Sequence, residues 1–297
     1  MKQFRELTRR NIILFFKDKG MFFTSLITPA ILLVLYATFL GNIYKDSFLS
    51  SLPEGFTLAE DLINGVVGGQ LMSSILAVSC VTVAFSSNML MVQDKANGTI
   101  KDLSISPVKK STLALSYYFA TLISTLIICY VALAICLLYV SFIGWFISFA
   151  DVMFLMLVVF LLVMFGADLS SILNFFLSSQ GQIAAVCTIM SAGYGFICGA
   201  YMPISSFSSG LQKVVSFLPG TYGTSLVRNH SMNGAFREMK SVGIPGNVVE
   251  MIRNGIDCNL YFFDNKVDIP SMYIILAVTT IAFVGVYVAL NALKRKP

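Results

Sequence analysis

One carboxylate, Asp168, stands inside an otherwise apolar run from about Val152 to Leu177. An ionisable side chain at membrane depth is costly and marks a paired or functional site by default. Counted from Asp151, Asp168 lies about 25 Å along a helix. There it could meet interfacial water, cap a neighbouring helix, or serve coupling or substrate passage. A second concentration of polar residues is the island Met91–Thr112, which holds six charges between two long apolar runs. Within it, Asp94 to Asn97 can prolong a helix out of the apolar layer, and Gly98 permits a sharp turn. Thr99 can then cap a short helix through Ile100–Ser104, and Pro107 ends it or opens the next segment. A short helix braced between two long ones can transmit a push.

Other chemistry is missing. No Gly-Lys pair occurs anywhere in the chain, so there is no Gly-x-x-x-x-Gly-Lys-[Ser/Thr] loop to cradle a nucleotide. The sole histidine, His230, has no partner set for metal or triad chemistry. Five of the six cysteines (Cys80, Cys129, Cys136, Cys187 and Cys198) fall within apolar runs, which leaves Cys258 without an intrachain disulfide partner. No Cys-x-x-Cys pair suggests a metal. No cofactor is expected, and no catalytic residue.

The elements that position these residues follow from composition. Of 297 residues, 57% are hydrophobic and 12% charged, against about a quarter charged in soluble domains. A span needs about 20 mostly apolar residues, and six segments qualify: about Phe22–Leu40, Val66–Val92, Leu113–Phe142, Val152–Leu177, Ile183–Met202 and Met272–Leu293. They are long and lack strand alternation, so the fold class is an all-α membrane protein. Ahead of the first span, Phe4, Leu7, Asn11, Leu14 and Phe15 share a helical stripe opposite Lys2, Arg5, Arg9, Arg10 and Lys17. Such a helix can lie in an anionic headgroup layer, with membrane lipid as its partner.

Charge sets the orientation. The two tails and the island carry 13 Lys/Arg against four acids, while the opposite loops carry seven against ten. The positive-inside rule then puts both termini and the island in the cytoplasm. The net +5 is a topology signal and gives no reason to invoke nucleic acid. The connection between the fifth and sixth spans, Pro203 to Pro270, is too long for a simple loop. Helical spacing at Leu211, Val214, Val215 and Leu218, and again over about Asn247–Asn254, reads as a helical cap that partly enters the membrane.

Two blocks look familiar. "DKANGTIKDLSISPVKKSTL" resembles the segment after the second span of ATP-binding-cassette type-2 permeases, through Asp94, Gly98, Thr99, Leu103 and Pro107. "YMPISSFSSGLQKVVSFLPGTYGTSLVR" resembles that family's re-entrant block after the fifth span, through Pro203, Leu211, Pro219, Tyr222 and Arg228. One departure is Lys101, ahead of Asp102, where many relatives place an acid directly after the Gly-Thr-aliphatic triplet.

The resemblance implies a permease domain over residues 1–297. Its parts would be an amphipathic interface helix (1–20), spans one to five (21–202), an extracellular helical insertion (203–270) and the sixth span (271–293). It implies a separate ABC ATPase in two copies, seated on a coupling helix formed by Asp94, Lys95, Gly98, Thr99, Lys101 and Asp102. It also implies a second copy of the chain or a homologous permease, with spans two and five lining a path through Met72, Phe85, Phe196 and Met202. Gly195-x-x-x-Gly199 would allow close helix approach at the subunit interface. The expected function is export of an amphipathic drug, hydrophobic peptide or lipid-like substrate across the cell membrane. The alternatives are a non-transporting sensor or scaffold partnered with an ATPase, and an ATP-independent carrier.

Overall fold

A computed structural model describes residues 2–50, 59–105, 108–263 and 265–293. Helix α1 (Lys2–Lys17) meets α2 (Lys19–Leu35) at a bend of 71°. Asp18 makes the bend by capping α2, its Oδ1 accepting from Met21 N at 3.1 Å. α2 continues through a π-helical turn, Tyr36–Leu40, into α3 (Gly41–Ser50). The helix therefore runs past Leu40, the expected end of the first span. α4 (Glu60–Ala96) follows, then the short α5 (Thr99–Ile105), α6 (Lys110–Ile143), α7 (Phe149–Phe176) and α8 (Gln180–Ile197). After a 3-10 turn at Ile204–Ser206 come α9 (Ser209–Val215), α10 (Pro219–Ser241) and α11 (Gly246–Gly255). The strands β1 (Leu260–Phe262) and β2 (Asn265–Val267) pair antiparallel, and α12 (Ile269–Leu293) closes the chain.

Among the described residues, four helices are long and apolar enough to cross a membrane, namely α4, α6, α7 and α12, or five if the bent α1–α2 pair is one span. α8, with 18 residues, reaches about 27 Å against about 30 Å of hydrocarbon. α4 is the axis, buried along nearly its whole length, with α2, α6, α7, α8 and α10 packed around it. Its Ser73, Ser74, Ser79, Ser86 and Ser87 are buried, and small side chains let neighbouring helices come close. Asn88 ties α4 to α7, donating to Ser170 and Ser171 hydroxyls at 3.2 and 3.0 Å.

Two expectations change. The segment 203–270 is not wholly helical, since β1–β2 forms a hairpin one residue ahead of α12. Nor is all of it a cap: α10 packs inside the bundle against α4, α7 and α12. Gly223 backs onto Leu162 at the middle of α7, while Asn233 and Arg237 reach Asp151 in its first turn, at 2.8 and 2.9 Å. α10 therefore runs beside the half of α7 remote from α5. Its hydroxyls and amides mask it as a buried helix in sequence, because they are satisfied within the fold, as where Ser231 donates to Gly69 O at 3.0 Å.

Candidate functional site

The island folds as a bracket at one end of the bundle. α4 stops at Ala96, and Gly98 turns the chain with φ +80°, a left-handed conformation that side-chain-bearing residues rarely adopt. The Gly98 carbonyl accepts from Lys101 N at 2.8 Å and Asp102 N at 3.3 Å. Gly98 thus holds the capping position and Thr99 is the first residue of α5, one place further in than expected. Ile100 and Leu103 pack with Phe15, Leu90, Met91 and Leu113. Lys101 and Asp102 face outward, and Ile105, one turn on from Lys101, is 84% exposed. Pro107 lies outside the described residues.

The root of this bracket is committed inward, which corrects the expected roles of Asp94 and Lys95 as ATPase-facing charges. Asp94 Oδ2 accepts from Arg10 Nη1 at 2.9 Å and from the Tyr117 hydroxyl at 2.5 Å. The next residue, Lys95, donates to the carbonyls of Asn174, Phe175 and Leu177 at 2.8, 3.0 and 3.2 Å. A cation is favoured there by the unpaired carbonyls at the end of α7. One residue therefore holds α1 and α6, and its neighbour holds α7. Arg10 turns in from the basic face to pair with a buried carboxylate. Their separation of 84 positions hid the pair from any local pattern.

Asp168 is fully buried, and neither carboxyl oxygen has a hydrogen bond of normal geometry among the described residues, although the Tyr118 hydroxyl lies close enough to interact. It lies inside α7, away from both ends of that helix and from the protein surface. Its polar neighbour is Tyr118 on α6. A buried polar group without a bond is destabilising, so Asp168→Asn should leave the thermal midpoint unchanged or raise it. A fall in the midpoint of purified protein would show a bond that this geometry lacks.

A groove of about 790 Å³ opens between α2, α4 and α8. Phe196 lies on its wall. Met72 and Phe85 do not, being at most 1% exposed in the core, and Met202 is exposed away from it. Met72 and Phe85 face the helices that surround α4, a direction the sequence could not supply. Gly195 also differs from expectation, because a Cβ there would sit 2.3 Å from the Tyr201 ring. Its close approach serves that ring, and Gly199 (φ +74°) turns the chain past the end of α8.

The second familiar block is a knot around Arg228. Its Nη1 lies 3.2 Å from Asp257 Oδ2, and its Nη2 donates to Gly199 O. Asp257 also accepts from Ile204 N at 2.6 Å and Ser205 N at 3.3 Å. Burial pushes the Asp257 carboxyl above its usual range, against the pull of Arg228 and those amides. Pro203 precedes the 3-10 turn, Pro219 opens α10, and the Tyr222 hydroxyl donates to Ser216 O at 2.5 Å.

Apolar helices of membrane length, a bracketed helix at one end of the bundle and a groove along it define a helical membrane protein. The chain belongs to the ABC-2 type transporter family, whose sequence profile matches residues 2–230, from α1 into α10. It is the membrane permease component of an ABC transporter, a kind of subunit that works with an ABC ATPase component. A comparison with curated proteins gives no match.

Proposed function

We propose that this permease is the transmembrane half of an ATP-driven exporter of amphipathic substrates in a cell membrane. α2, α4, α6, α7, α8 and α12 make six crossings, with both termini and α5 cytoplasmic. Two copies, or one copy and a homologous permease, bind two ATPase subunits through α5. ATP closes the ATPase pair, α5 moves, and the paired bundles open outward along the groove. The observation that carries this reading is the bracket: an outward face of Lys101, Asp102 and Ile105 on a helix whose root is bonded to α1, α6 and α7. A push on α5 then moves three helices and not a loop.

The ATPase contact should centre on Ile105. Exposed charge pairs contribute about 0–1 kcal/mol, so Asp102→Ala should reduce co-purification of the ATPase only slightly. Ile105→Asp should abolish it, since it places a charge where an apolar side chain would be buried. Equal pull-down by both variants would place the contact elsewhere. Orientation is tested by impermeant thiol labelling of intact cells. Cysteines replacing Lys213 and Lys266 should react, and one replacing Lys101 should not; the reverse pattern would invert the topology.

A further inference from the structure

Among the described residues, the groove wall carries no Asp, Glu, Lys, Arg or His. It carries many hydroxyls, and seven of them spend their protons within the fold. Thr24 donates to Gly20 O at 2.7 Å, Ser86 to Thr82 O at 3.1 Å and Thr188 to Ala184 O at 2.9 Å. Ser74 donates to Ala200 O at 2.7 Å and Tyr201 to Ser191 O at 3.2 Å. Tyr36 donates to Val67 O, and Tyr44 to Tyr201 O at 3.4 Å. A hydroxyl has one proton and two acceptor lone pairs, so each of these oxygens offers a guest only acceptor capacity.

Four aromatic rings add to this field. Tyr36 and Tyr44 lie 6.0 Å apart, and Phe196 meets Tyr201 edge-on at 5.1 Å. The Tyr44–Tyr201 contact joins the two pairs into one region of the groove. Ring faces carry negative quadrupole potential and attract cations, above all alkylammonium groups that are partly out of water. The remaining wall is aliphatic, from Ile27, Ile31, Leu35 and Ile75. The volume falls within the range of about 300–1,000 Å³ that holds drug-sized molecules.

Resting on the reading of this groove as the substrate path, we propose that its ligand is a hydrophobic cation. An apolar body would lie along α2 and α8, and an alkylammonium head would sit among Tyr36, Tyr44, Phe196 and Tyr201. Anionic amphiphiles would meet no cation among the described wall residues and only acceptors at these seven hydroxyls, and are disfavoured by the same chemistry.

The test uses two dansyl-labelled alkyl probes that differ only in a trimethylammonium or a sulfonate head, with the permease and its ATPase in proteoliposomes. The ammonium probe should bind and be transported with ATP, the sulfonate probe should not, and Tyr201→Leu should weaken ammonium binding by roughly tenfold. Cys187 reports on the groove separately, because it lines the wall and is half-buried while the other five cysteines are buried. A bulky maleimide on Cys187 should block transport, with Cys187→Ser resistant. If the adduct blocks but both probes are carried equally, the cation preference is wrong and the path stands. If the adduct has no effect on ATP-driven transport, the path reading fails and takes the proposal with it.

Discussion

Arg228→Met should leave little folded permease in the membrane. The guanidinium is 1% exposed and the Asp257 side chain 4%, so removing it strands a buried carboxylate. Breaking such a pair costs about 3–5 kcal/mol, a large part of the roughly 5–15 kcal/mol that holds a domain folded. Gly199 O would lose its donor as well, and with it the tie between the end of α8 and α10. Asp257 keeps two backbone amides, but these do not neutralise it. Adding Asp257→Asn should recover much of the loss, because Asn is neutral, still accepts from one of those amides, and tolerates the left-handed φ of +54° at this position. The measurement is the monodisperse fraction after heating, read by fluorescence size exclusion. A single variant as stable as the parent would contradict the buried pair, and a double variant worse than the single would contradict its chemistry.

Gly98→Val should uncouple ATP hydrolysis from export while the bundle stays folded. A Cβ at position 98 would meet nothing within 4 Å, so crowding is not the cause. The cost is backbone strain, about 1–3 kcal/mol for a residue forced to positive φ, and it falls on the joint between α4 and α5. The helices beyond the joint are held by their own internal bonds and lipid-facing surface. Gly98→Asn should retain most coupling, since Asn tolerates this region far better than a β-branched residue. Substrate-stimulated hydrolysis and export in proteoliposomes give the readout, and full coupling in Gly98→Val would mean the bracket is only a solvated loop.

What could be read without coordinates was what depends on near neighbours. Apolar runs placed the centres of the long helices, and the spacing of Leu211, Val214 and Val215 marked α9, which ends before Leu218. The turn at Gly98 was legible because one residue type serves it. Pairings across the chain were not legible: Asp94 looked like a surface charge because nothing near it shows Arg10 approaching from 84 positions away. α10 looked external because its polar side chains are satisfied by distant backbone, as with Asn229 donating to Cys258 O at 2.5 Å. Gly195 fitted a helix-packing motif by spacing alone, while its actual neighbour is a ring six residues on. The groove chemistry needed the hydroxyl bonds themselves, since composition counts hydroxyls but does not say where their protons go.

The most direct measurement is ATP-dependent uptake of the ammonium probe into inside-out vesicles holding the permease alone or together with the P-loop ATPase that co-purifies with it. The account predicts no hydrolysis and no ATP-dependent uptake with the permease alone, and both when the ATPase is present. Uptake driven by the permease alone, or hydrolysis by the pure chain, would contradict it.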